Sequence, residues 1–232
     1  MWLYSSLLFF SLLVPIALSF DKKLQFYKFW KFLFPSIFTV AFFYIAFDVY
    51  LTKQGVWGFN SLYHLNIVVA GLPIEEWLFF IVIPYACVFI HESLLLYFPH
   101  FKLNSHVSQW LTIVLILSLL MLIVFNFDKA YTVYISSTVI VALVFALFDK
   151  TNVIQSYYST FLVILIPFIV VNAVLTGSFI AHEVVWYNDQ ENLGIRFLTI
   201  PAEDFGYAFS LILFNLLLVA KLKNRANVKL SQ

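Results

Sequence analysis

Apolar residues run along this chain in long blocks separated by short polar stretches. A helix that crosses the hydrocarbon core of a bilayer needs about 20 mostly apolar residues. Seven blocks meet that need: Trp2–Phe20, Trp30–Leu51, Ile67–Phe98, Val107–Phe125, Tyr131–Phe148, Tyr157–Thr176 and Phe197–Ala220. The third is too long for one straight span. It is expected to begin as a lead-in, with the helix proper starting near Pro73, because proline suits a first helical position where its missing N–H would be unpaired anyway. The first block could pass for a signal peptide, and Ala17-Leu18-Ser19 even looks like a cleavage site. No basic residue precedes the apolar stretch, however, as one normally does in a signal peptide, so it is read as a helix. The expected fold is an all-α integral membrane protein with about seven transmembrane helices.

Composition agrees. The chain is 63% hydrophobic and 11% charged, whereas a soluble domain carries roughly 25% charged residues. A net charge of +1 offers no electrostatic case for nucleic acid. Cys87 is the only cysteine, so neither a disulfide framework nor a cysteine-based metal site is expected. The six glycines are scattered and build no G-x-G-x-x-G or phosphate loop. No flavin, nicotinamide or nucleotide cofactor is therefore expected. Lys and Arg set the orientation. With the N-terminus outside, ten of these residues fall on cytoplasmic segments and three (Lys53, Lys129 and Arg196) outside. The expectation is a multi-pass protein of the cell membrane with a cytoplasmic C-terminus.

The chain also matches itself. Phe20-Asp21-Lys22 recurs 128 positions later as Phe148-Asp149-Lys150, and Pro73-Ile74-Glu75-Glu76 recurs at the same offset as Pro201-Ala202-Glu203-Asp204. Asn60 and Asn188 share that offset, as do Leu65 and Leu193, while Trp57 and Trp186 miss it by one residue. These matches divide the chain into a first repeat over 1–98, a linker helix over 99–128, and a second repeat over 129–232 with a basic tail. A shift of four helices preserves direction, so two parallel three-helix repeats are expected, related by an axis along the membrane normal. Both acidic motifs then lie at one depth, in the outer half of the bilayer.

Carboxylates at membrane depth cost about 2.5–3.5 kcal/mol each on insertion scales and usually face a bundle interior. Helix starts also favour acids, through the positive end of the helix dipole; that reading does not explain why the same acids appear twice. Adjacent helical residues point about 100° apart and residues four apart share a face. Glu75 thus shares a face with Phe79, and Glu203 with Tyr207. A protonated carboxyl beside an aromatic wall is what carbocation chemistry on a polyene needs, since a ring face attracts cations.

At this point the sequence resembles the membrane-integral lycopene cyclases, found as two short subunits in some bacteria and as a fused tandem in archaea and fungi. The residues that carry the resemblance are Phe47-Asp48, Gly55-Val56-Trp57-Gly58-Phe59-Asn60, and Leu72-Pro73-Ile74-Glu75-Glu76-Trp77-Leu78-Phe79-Phe80. The second half adds Trp186-Tyr187-Asn188 and Ile200-Pro201-Ala202-Glu203-Asp204-Phe205-Gly206-Tyr207. Phe47-Asp48 has no clean partner there; the aligned positions hold Leu175 and Thr176. The resemblance implies redox-neutral cyclisation of the ψ ends of lycopene, or a related carotenoid, to β-ionone rings. An acid protonates C2, the C5–C6 double bond closes on the cation, and a base takes a proton from C6.

The expected acid and base are Glu75 and Glu203, with Glu76 and Asp204 tuning them or exchanging protons. Phe79 and Tyr207 are expected to line the substrate. Trp57 and Trp186 either line it too or anchor the chain at the interface. Asn60 and Asn188 either orient the acids or make loop turns. His91-Glu92 and His182-Glu183 lack the second histidine of H-E-x-x-H, so no metal is assigned. Arg196 is expected to pair with Asp189 or Glu191. A CAAX-type intramembrane protease would need an arginine where Phe80 stands. A prenyl transferase would need an Asp-rich motif that is absent. A carotenoid hydratase sharing the same acid, and a membrane transporter, remain the alternative readings.

Overall fold

The computed structural model describes residues 2–230. It holds seven α-helices: α1 (Leu3–Leu18), α2 (Trp30–Lys53), α3 (Ile74–Tyr97), α4 (Ser105–Phe125), α5 (Ala130–Leu147), α6 (Val153–Leu175) and α7 (Ala202–Leu230). Six are long and apolar enough to cross a membrane, α2 with the help of a preceding short 3-10 turn at Phe26–Phe29. At 16 residues, α1 is shorter. It spans about 24 Å at 1.5 Å per residue, against a hydrocarbon core of about 30 Å. The architecture is that of a multi-pass membrane protein.

Short strands join the helices on one side: β1 (Trp57–Phe59), β2 (Val68–Val69), β3 (Leu72–Pro73), β4 (Val185–Tyr187), β5 (Arg196–Phe197) and β6 (Ile200–Pro201). Hydropathy had merged some of them into the helices. The third block does begin as a lead-in, but that lead-in is the β2–β3 hairpin, and Pro73 is still extended (φ −61°, ψ 150°), so the helix starts at Ile74. The last block starts at Phe197 by hydropathy, yet Phe197 lies in the β5–β6 hairpin and the helix begins at Ala202. An apolar hairpin and an apolar helix look alike in a hydropathy average. What separates them is the turn. Ala70 and Gly71 both take positive φ, the conformation two-residue hairpins require.

Packing places α3 and α7 at the centre. Helix α1 packs on α3, α5 on α7, α2 on both α3 and α7, and α6 on both as well, while α4 packs chiefly on α5. Close approach of α5 and α7 depends on Gly206, where an added Cβ would stand 2.8 Å from the Ile135 Cγ2 atom. Interhelical hydrogen bonds tie the bundle: the Ser36 hydroxyl donates to the Asn215 carbonyl at 3.0 Å and the Tyr157 hydroxyl to the Phe209 carbonyl at 2.8 Å. Such bonds contribute about 1 kcal/mol each inside membranes.

Candidate active site

The two acidic motifs open α3 and α7 just after the two hairpins. Helix geometry then separates each pair of neighbours. Glu76 and Asp204 point into one cavity of about 70 Å³ at the centre of the bundle. Six helices and the β1–β4 pair contribute to its wall; α4 does not. The wall is mostly apolar, with Phe79, Trp57, Tyr131, Tyr187 and Tyr207 supplying aromatic faces.

Glu75 and Glu203 point elsewhere. The Glu75 Oε1 atom accepts from the Leu65 backbone N–H and from the Ser5 hydroxyl, both at 2.8 Å. The Glu203 Oε1 atom accepts from the Leu193 N–H at 2.7 Å and the Thr132 hydroxyl at 2.6 Å. Each carboxyl thus fastens its own outer loop and the neighbouring helix start, and neither lines the cavity. Glu75 and Glu203 are expected to be acid and base, with Glu76 and Asp204 in support; it is Glu76 and Asp204 that line the cavity. Leu65 and Leu193, 128 positions apart, each give the backbone N–H that their carboxyl accepts. Replacing Glu75 or Glu203 with Ala leaves that half-buried N–H without its carboxyl partner, at a cost of about 1 kcal/mol, the low end for an unpaired group. The expected result is a lower thermal midpoint in detergent, with Glu75→Gln recovering most of the loss through its amide carbonyl. Equal midpoints for wild type and Glu75→Ala would refute the fastening role.

Glu76 and Asp204 meet phenols. The Tyr4 hydroxyl donates to Glu76 Oε2 at 2.5 Å. The Tyr131 hydroxyl donates to Asp204 Oδ1 at 2.5 Å and the Tyr187 hydroxyl to Asp204 Oδ2 at 3.0 Å. Burial, then the adjacent Asp204 carboxyl, hold the Tyr187 phenol well above its usual range, so it remains a donor. A third acid joins them. Asp48, near the end of α2, is buried and lines the same cavity, and its Oδ2 atom finds no hydrogen-bond partner among the described residues. Sequence reasoning left Asp48 outside the candidate set because its aligned position holds Thr176. The Thr176 hydroxyl is committed to the Asn172 carbonyl and the Thr199 hydroxyl. The phenols were also missed, although Tyr4-Ser5 and Tyr131-Thr132 recur 127 positions apart and could have been found.

The remaining candidates divide. Trp57 is buried and lines the cavity; Phe79 and Tyr207 line it too. Trp186 does not. It is 38% exposed, and its indole covers Gly58 so closely that an added Cβ there would collide with the ring. The two tryptophans are not counterparts in the strand register, which pairs Trp57 with Tyr187 and Gly58 with Trp186. Asn60 and Asn188 make turns: each Oδ1 accepts a backbone N–H two residues on, from Leu62 and Gln190.

Arg196 pairs with Asp189 and also donates to the Thr199 carbonyl at 2.8 Å. The hydrogen bond from Arg196 holds the Asp189 carboxyl below its ordinary range. Glu191 instead accepts from the Ala130 N–H at the start of α5. Ring nitrogen Nδ1 of His91 bonds the Thr160 hydroxyl at 2.7 Å, and Glu92 lies 3.9 Å from Lys223, while His182 and Glu183 are exposed in a loop.

Taken together, the cavity sets carboxyl groups from α2, α3 and α7 against aromatic faces in a largely apolar enclosure. This can move a proton to and from a hydrocarbon and shelter the cation between. No curated protein and no solved structure matches the chain. A model of the family described as lycopene cyclase matches it over residues 1–94 and again over 128–222. With most of its length matched in those two segments, the chain belongs to the lycopene cyclase family.

Proposed function

We propose that the protein closes ψ end groups of lycopene to β-rings by proton transfer within the cavity. The observation that carries this reading is the convergence of Asp48, Glu76 and Asp204 on one aromatic-walled enclosure. An ionised carboxylate only accepts hydrogen bonds. Asp204 takes a phenol donor on each oxygen and Glu76 takes one, on Oε2. Asp204 therefore has the part of the base and Glu76 that of the acid. Glu76 gives its proton to C2, leaving the cation at C1. The C5–C6 π electrons form the C1–C6 bond and move the cation to C5. Loss of the C6 proton to Asp204 restores a C5–C6 double bond, so the sequence is redox-neutral and the product is an isomer of the substrate. Faces of Trp57, Phe79 and Tyr207 lie where they can stabilise the cation, an interaction worth about 2 kcal/mol or more when desolvated. Glu75 and Glu203 act as positioning residues that hold the outer loops over the site.

The site is built from two parallel repeats. Several matched features support this reading. The β2–β3 and β5–β6 hairpins have identical registers 128 positions apart. Tyr4 and Tyr131 each donate a backbone N–H to the corresponding loop, at the carbonyls of Tyr63 and Glu191. The β1–β4 pairing is centred on Gly58 and Trp186, themselves 128 apart, as a twofold axis between the halves would require. With the N-terminus outside, by the distribution of Lys and Arg, the cavity sits in the outer half of the membrane.

The test is expression in a bacterial host that accumulates lycopene, with the pigments separated by chromatography and weighed by mass spectrometry. An isomer of lycopene absorbing at shorter wavelength is expected. A product heavier by a water would make the protein a hydratase with the same acid. Unchanged lycopene, with the protein in the membrane, would overturn the reading and favour a transporter.

A further inference from the structure

A second, much larger recess opens beside the cavity, with a volume of about 1790 Å³. Three helical stripes wall it. On α2 they are positions 39, 40, 43, 44 and 47; on α5, positions 134, 137, 138, 141 and 145, continued by 148 at its C-terminal cap; on α7, chiefly positions 214, 217, 218, 221, 222 and 225. Steps of three and four residues put each set on one face. From 134 to 148 the stripe on α5 runs about 21 Å at 1.5 Å per residue. The recess is therefore a lengthwise groove, open to the bilayer through exposed Phe43, Val141 and Phe145.

Its outer end abuts the acid cavity. Tyr44 lines the groove, and its ring stands 5.2 Å from that of Tyr207, which lines the cavity. Asp48 follows Tyr44 by four residues on α2, one turn further out, and lines the cavity. The Tyr44 hydroxyl donates to the Ser210 hydroxyl at 2.8 Å, which fixes its ring against that of Tyr207, and the two rings stand between the two spaces. At its other end the groove finishes among Asp149, Lys150, Lys221 and Arg225.

The proposed reaction needs room for far more than an end group, and the acid cavity, at about 70 Å³ against about 1790 Å³, is a small fraction of the groove beside it. We propose that the groove between α2, α5 and α7 is the binding site for the polyene chain of the substrate. One end group passes the Tyr44–Tyr207 partition to the carboxyl cluster, and the far end lies at the polar inner mouth. This rests on the cyclase reading and extends it. Direct abutment on the acid cavity, through Tyr44 against Tyr207, selects a linear polyene as occupant over a phospholipid acyl chain. Ends are then processed singly: a doubly cyclised product requires release and re-entry with the molecule reversed. A far end that carries a hydroxyl is accommodated, because it meets charged groups.

The test uses the full chain in proteoliposomes supplied with lycopene. Val141→Trp fills the middle of the groove from its exposed side, and Thr39→Trp does so from α2. Ile166→Trp, on the exposed face of α6, is the control. Each groove variant is expected to raise KM about tenfold with kcat within about threefold, as loss of uniform binding does, and to retain less lycopene per protein on purification. The control is expected to match wild type. If wild type cyclises lycopene and both groove variants match it in KM and pigment retention, the groove assignment is overturned and the cyclase reading stands. The groove assignment falls equally if the variants shed only phospholipid. If wild type converts no lycopene, both readings fall.

Discussion

Replacing Glu76 with Gln, or Asp204 with Asn, is expected to abolish ring closure while leaving the protein in the membrane. Either change keeps the shape of the side chain and much of its hydrogen bonding to phenol, since an amide carbonyl still accepts the Tyr4 or Tyr131 hydroxyl. It removes the proton that Glu76 would give or the lone pair that Asp204 would use. Positioned acid–base groups contribute typically 10²–10⁴-fold, so losses on the order of a thousandfold are expected in lycopene turnover. Glu75→Gln and Glu203→Gln provide the contrast. Both sit next to the critical residues in sequence, yet they hold loop N–H groups and do not line the cavity. They are expected to keep activity within about tenfold of wild type. The reverse pattern, with Gln tolerated at 76 and not at 75, would sink the assignment and restore the parts the spacing first suggested.

Asp48→Asn should separate chemistry from stability. The Asp48 Oδ2 atom is buried with no partner among the described residues, and such an atom costs about 1–3 kcal/mol. Glu75 and Glu203 each also leave one buried oxygen without a partner among the described residues, but Asp48 lines the cavity and they do not. The asparagine side chain is isosteric and cannot ionise beside Glu76 and Asp204. Activity is expected to fall about a hundredfold, within the range for positioned acid–base groups, while the thermal midpoint stays level or rises. That combination is the usual mark of an active-site residue held at a cost to stability. Asp48→Thr, which copies the residue at the aligned position 176, is expected to be as inactive. Activity that falls only in step with the thermal midpoint would make Asp48 a packing residue, and full activity would remove it from the site.

Much of this protein was legible one residue at a time. The apolar blocks located all seven helices because lipid satisfies no backbone hydrogen bonds, so a spanning segment has to be a continuous apolar helix. The paired Pro-x-Glu motifs were legible because carboxyls in such blocks are expensive and therefore rare. Their recurrence at a single offset, together with the aromatic and asparagine positions around them, sufficed to recognise the family. Hydropathy could not find the hairpins at Val68–Pro73 and Arg196–Pro201, since apart from Arg196 and Thr199 their residues are apolar and merge with the helices they lead into.

Which acid faces the cavity was decided only in three dimensions. Glu75 and Glu76 are neighbours in sequence but about 100° apart around α3, and nothing in the spacing says which direction is inward. The Leu65 N–H and the Ser5 hydroxyl claim Glu75, and so turn Glu76 to the cavity. Asp48 and the phenols of Tyr4, Tyr131 and Tyr187 reach the site from other helices and from the loop strand β4, across separations that no local pattern encodes. Residue order was enough to establish a chain of apolar helices that carries acids among them. Packing of α2, α3 and α7 settled which of those acids share one enclosure, because facing is a property of the helix surface and not of order along the chain.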